Sequence, residues 1–137
     1  MHINKILKYL LIGGIFVVPF IPLVISSTMF FPFITGKNFI FRSVVEIIFF
    51  AWILLALRDS GYRPQFSRIF AALMAFIGLI ALADVTGVNL AKSFWSNFER
   101  MEGFITLLHL FAYFIVVVGV MTSEKLWKWL FHASLGV

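Results

Sequence analysis

The chain contains no cysteine, which excludes disulfide frameworks and every metal or nucleophile site built on a thiolate. It is also poor in charge. Asp, Glu, Lys and Arg make up 12% of 137 residues while 62% are hydrophobic, against roughly a quarter charged and half apolar in soluble domains. A soluble fold of this size must cover its core with polar side chains, so a mean hydropathy of +1.04 means that water is not the main solvent. Repeats and low-complexity tracts are lacking, which removes solenoids and disordered linkers. Sustained alternation of polar and apolar residues is missing too, and with it an outer-membrane barrel, whose strands alternate lumen-facing and lipid-facing positions.

What is present is a set of solidly apolar runs, at about 6–27, 38–57, 69–86 and 103–121. At roughly 1.5 Å rise per residue, each is long enough to approach or cross a hydrocarbon core of about 30 Å. The predicted fold class is all-α: a polytopic transmembrane bundle of about four helices forming one domain over 1–137, whole in itself or a fragment of a larger bundle. The first run follows Lys5 and Lys8 as the apolar part of a signal peptide would, but it exceeds the roughly 7–15 residues of such a region. It reads as a signal anchor, kinked near Pro19 and Pro22, each of which removes a backbone donor. The stretch 125–137, with Trp127, Trp129 and Phe131, reads as an aromatic belt opening a further segment. A longer chain and a short interfacial helix both fit it.

The net charge of +5 and the pI near 9.9 invite a nucleic-acid reading. A binder of that kind gathers its cations on one accessible face, whereas here they are dispersed among loops, so no nucleic-acid partner is expected. Topology accounts for them instead. With the N-terminus inside, Lys5, Lys8, Arg58, Arg63, Arg68, Lys125 and Lys128 face the cytoplasm with only Asp59 and Glu124, a net of +5. Lys37, Arg42, Lys92 and Arg100 face outward with Glu46, Asp84, Glu99 and Glu102, a net of zero. The positive-inside rule thus favours a multi-pass protein with a cytoplasmic N-terminus.

Ionisable residues within apolar runs are costly, so their positions carry the functional information. Arg42 and Glu46 are one helical turn apart, on one face and within reach of each other, with Asn38 a turn above. They read either as a structural ion pair or as an arginine presented to an anionic headgroup with Glu46 orienting it. Glu102, Thr106, His109 and Tyr113 recur at spacings of four, three and four, one polar stripe that should face other helices or a wet cavity. His109 is either a packing histidine or a member of a working stripe with Glu102. Between the third and fourth runs, Leu90, Phe94, Trp95 and Phe98 could line a short interfacial helix. Arg100, just before Gly103, could hold a phosphate bidentately. Glycosidase-type carboxylate spacing, a phosphate-binding glycine loop and metal-ligand spacing are all missing, so neither metal nor cofactor is expected.

The segment Phe94-Trp95-Ser96-Asn97-Phe98-Glu99-Arg100-Met101-Glu102-Gly103, followed by an apolar helix with His109 and Tyr113, resembles the O-antigen ligase and polymerase superfamily of bacterial membrane proteins. The segment from Lys37 to Glu46, with Arg42 opening the second helix, is similar to the N-terminal part of such proteins. The match covers most of this chain and about a third of a family member. The resemblance implies a bacterial inner-membrane enzyme of polysaccharide biosynthesis in the cell envelope. It would be a metal-independent inverting glycosyltransferase moving glycan from an undecaprenyl diphosphate carrier. Arg100, and less directly Arg42, would bind the diphosphate, with Glu46, Glu102, His109 and Tyr113 as supporting polar residues. The family's catalytic histidine lies in a large later loop that this sequence does not contain, and His109 does not correspond to it. A complete active site would then need the remaining helices of a longer chain or a partner subunit. The rival reading is a small non-enzymatic helper whose polar stripe is an assembly surface amid membrane lipid.

Overall fold

The computed structural model describes residues 2–25, 34–97 and 102–136 and is all-helical over them. α1 spans His2–Val17, α2 Thr35–Arg58, α3 Arg68–Thr86, α4 Leu90–Trp95, α5 Phe104–Val120 and α6 Glu124–Leu135. Helix starts have local causes. Ser67 accepts from the Phe70 amide at 3.1 Å, Asn89 from Lys92 at 3.0 Å and Ser123 from Leu126 at 3.3 Å, each satisfying an orphan donor of a first turn. The kink expected near the prolines takes the form of a tightened continuation. After Val17 the chain runs on as a 3-10 segment, Val18–Leu23, containing Pro19 and Pro22.

Three helical stretches are long and apolar enough to cross a membrane by length and composition: His2–Leu23, Thr35–Arg58 and Arg68–Thr86. α5 is equally apolar but only 17 residues long. Of the four expected spans, three are helices long enough to cross, and the fourth, α5, falls short of that length. α2 begins at Thr35, three residues before the expected start, which sets Arg42 about two turns inside the helix.

The core lies among α1, α2 and α5. Leu11 and Ile15 of α1 meet Ile48, Ala51 and Leu55 of α2, and Val116, Val117 and Val120 of α5 with Met121 beyond it. These positions recur every three or four residues, the inward faces of helices that are apolar all round. In lipid, burial of apolar surface does not hold helices together, so close packing and interhelical hydrogen bonds must. Close packing is visible at Gly14, where a Cβ would run into the Cγ2 of Ile48, and at Gly119, where it would lie 2.7 Å from both Trp52 Nε1 and the Tyr62 carbonyl. α3 packs against α5, with the Phe70 ring centroid 6.1 and 6.4 Å from those of Phe111 and Phe114. None of its residues is buried.

The two ends of the bundle differ. At one end Lys8 Nζ sits 5.8 Å from the Tyr62 ring centroid, Trp52 Nε1 donates to the Tyr62 carbonyl at 3.0 Å, and Arg63 Nε donates to the Ala56 carbonyl at 3.0 Å. The aromatic stretch at the C-terminus starts from this same end. α6 then packs against the 3-10 segment, and its Trp127, Leu130 and Ser134 share a cavity with Pro19, Tyr113 and Phe114. The opposite end holds the start of α2, α4 and the start of α5, with Phe94 and Phe104 edge to face at 5.3 Å.

Candidate functional site

The polar residues of α2 and α5 lie on the faces these helices turn to each other. Arg42 Nη2 donates to Thr106 Oγ1 at 2.8 Å. One turn further along both helices, His109 Nε2 stands 3.2 Å from Glu46 Oε1. A turn beyond, the Tyr113 hydroxyl donates to the Ile15 carbonyl of α1 at 3.1 Å. The helical spacing of each stripe thus becomes a ladder of interhelical contacts, because side chains four apart on one helix meet side chains three or four apart on its neighbour.

Two details differ from the simplest reading of the sequence. Glu46 lies one turn from Arg42, yet its carboxylate is engaged by His109 on α5, and Arg42 reaches α5 separately through Thr106. Among the described residues, Glu102 and Glu46 both act electrostatically on the guanidinium. Glu102 itself is exposed, at the edge of the stripe. Arg100, with Phe98, Glu99 and Met101, lies outside the described residues, so the proposed phosphate ligand of that loop has no geometry here. Its surroundings on either side are described: α4 carries Leu90, Phe94 and Trp95, and Ser96 follows with φ 61°, a left-handed backbone angle rare for a residue with a Cβ.

Below Arg42 the facing surfaces of α2 and α5 separate into an apolar cavity of about 600 Å³. Val45, Phe49 and Phe50 form one wall, Leu108, Phe111, Ala112 and Ile115 the other, and Glu46 and His109 are its polar contributors. His109 is mostly shielded, its side chain 16% exposed, while Glu46 is 60% exposed. The wall residues are not legible in the sequence: in helices apolar on every face, hydropathy does not separate a groove from a lipid-facing surface. The carbonyls of Ile15 and Ile105, which hold Tyr113 and His109, escape sequence reading for the same reason, since any backbone offers one.

Among the described residues no cluster of three or more His, Asp or Glu side chains is arranged to hold a metal ion. What the arrangement offers is a guanidinium fixed by a hydroxyl, a histidine and carboxylate in contact, and an apolar slot beneath them. No family model, no curated protein and no solved structure matches the chain, so the site is read on its own geometry.

Proposed function

We propose that this chain is a four-span protein of the bacterial inner membrane, its N-terminus cytoplasmic, and forms the N-terminal portion of an O-antigen ligase-like glycosyltransferase that binds an undecaprenyl diphosphate-linked glycan. The observation that carries the reading is the vertical order at the α2–α5 seam. A guanidinium held by Thr106 stands about one turn above an apolar cavity lined by Phe49, Phe50 and Phe111. A polyprenyl diphosphate has the same order of anionic head and apolar tail. A preorganised guanidinium suits a diphosphate leaving group, because charge that develops on its oxygens as the glycosyl bond breaks is met by donors already in place. Arg100 supports the reading through the sequence resemblance and its place between α4 and α5.

The test is binding of a polyprenyl diphosphate lipid to the full-length protein. Arg42→Ala and Arg100→Ala should each weaken it by the loss of a charge-assisted contact, about 1.5–3 kcal/mol or roughly 10- to 150-fold. Lysine should restore only part, because it keeps charge but loses the planar fork. Lys92→Ala serves as control. Wild-type binding by both folded alanine variants would defeat the assignment. A second reading, a non-enzymatic assembly subunit, draws on α3, an apolar helix with no buried residue whose surface could meet further helices. Co-purification of a stoichiometric partner that is lost on polar substitution along α3, with carrier binding absent, would favour it.

A further inference from the structure

The end of the bundle around Tyr62 collects cations that no acid neutralises. The topology gathers Lys5 and Lys8 of α1, Arg58 at the close of α2, Arg63 just after Tyr62 and Arg68 at the start of α3. Among the described residues none of these five forms an ion pair. The acids of this end are engaged elsewhere: Asp59 accepts from the Gly61 amide of its own turn at 3.0 Å, and Glu124 stands 3.6 Å from Lys128. Two of the cations are also held in place. Lys8 Nζ lies 5.8 Å from the Tyr62 ring centroid, within reach of a cation–π contact. Arg63 donates through Nε to the Ala56 carbonyl at 3.0 Å, which orients its guanidinium and leaves the two Nη groups to meet a ligand. Tyr62 is itself clamped, its carbonyl accepting from Trp52 Nε1 at 3.0 Å where Gly119 lets α5 come close.

The surface beside these cations is apolar. Ile6 and Tyr9 neighbour the two lysines, and Leu57, Phe66 and Ile69 neighbour Arg58 and Arg68, each between 64% and 80% exposed. A water-soluble anion would leave that surface uncovered, whereas a ligand whose anion is joined to hydrocarbon chains satisfies both parts, as basic pockets at the ends of membrane helices do with lipid headgroups. We propose that Lys8, Tyr62 and Arg63 form a binding site for the phosphodiester headgroup of an anionic phospholipid, at the end of the bundle opposite Arg42. Lys8 supplies a point charge and Arg63 a pair of oriented donors for the phosphate oxygens. Lys5, Arg58 and Arg68 add a general field that salt screens beyond about 8 Å at physiological ionic strength. The inference rests on the bundle lying in a bilayer, and it is independent of the carrier-binding role of Arg42 and of which leaflet this end meets.

The full-length protein in neutral detergent is titrated with phosphatidylglycerol and, separately, with phosphatidylcholine, and bound lipid is counted by native mass spectrometry. Phosphatidylglycerol should bind about tenfold more tightly or better, because its phosphate has no attached ammonium to oppose Lys8 and Arg63. Lys8→Gln and Arg63→Gln should each weaken it by about tenfold or more, the loss of one charge-assisted contact. Arg63→Lys should recover part, since the charge stays and the fork does not. Arg68→Gln, at the same end but outside the Lys8–Tyr62 contact, should stay within about twofold of wild type at physiological ionic strength. Excess inorganic phosphate should leave the lipid bound, because it has no chains to lie on the apolar surface. Because the two lipids are compared on the wild type, the proposal stays testable even if a glutamine variant does not fold. Equal binding of both lipids, equal losses at Lys8, Arg63 and Arg68, or displacement by phosphate would overturn the site.

Discussion

Arg42 Nη2 and Thr106 Oγ1 are 2.8 Å apart although 64 positions separate them in the chain. That bond ties α2 to α5 one turn from the His109–Glu46 contact and the cavity. Interhelical polar contacts inside membrane proteins contribute modestly, about 0.6 kcal/mol on average and up to roughly 1.7. Thr106→Val keeps the shape and removes the acceptor, so it should lower unfolding stability in detergent by an amount in that range. In a double-mutant cycle with Arg42→Met the two losses should be less than additive. Additive losses would mean that the two side chains do not act as a pair.

The contact between Gly14 and Ile48 predicts a different kind of defect. A Cβ at Gly14 would strike Cγ2 of Ile48, a fully packed side chain. Gly14→Ala should therefore cost about 1–3 kcal/mol from overpacking. Removing the obstacle should return part of it, so Gly14→Ala combined with Ile48→Ala should unfold less readily than the sum of the single effects requires. Equal costs of Gly14→Ala in both backgrounds would show that α1 and α2 do not approach this closely.

Tyr113 tests the tie to α1. Tyr113→Phe deletes only the hydroxyl that donates to the Ile15 carbonyl at 3.1 Å, and a loss of about 0.5–1.5 kcal/mol is expected. Thermal unfolding of the variant in the same detergent as the wild type measures it. An unchanged midpoint would assign Tyr113 to packing alone.

Orientation is open to a direct experiment. The charge balance of +5 on one side against zero on the other predicts that a reporter fused after Arg63 is cytoplasmic and one fused after Asn97 is external. The reverse pattern at both fusion points would invert the bundle and put Arg42 on the cytoplasmic side.

Much of the framework is legible in the sequence because apolar runs and their breaks are local properties. The second run, read as 38–57, is the helix Thr35–Arg58, and the third, read as 69–86, is Arg68–Thr86. Periodicity likewise sorts Thr106, His109 and Tyr113 onto one face of α5, while Glu102, expected on the same stripe, precedes the helix and is exposed. What it leaves out is the partner. Spacing tells which residues share a face of one helix and nothing about which helix that face meets, so Glu46 is paired in the sequence with its neighbour Arg42 and in the structure with His109. The packing of α6 against the 3-10 segment Val18–Leu23 is equally illegible, because an aromatic-rich helix of 12 residues suits a membrane surface and a membrane interior alike.

The shortness of α5 has a consequence for the lipid around it. Its 17 residues reach only about 26 Å at roughly 1.5 Å per residue, several Å less than a hydrocarbon layer of about 30 Å. In the four-span arrangement α2, with 24 residues, would have length to spare beside it. A bilayer accommodates such hydrophobic mismatch by thinning locally against the shorter helix. The thinning would be greatest beside α5, the helix that carries Thr106 and His109. A lipid entering the seam there would cross less hydrocarbon than elsewhere, and in thicker, sterol-like bilayers that advantage should fade.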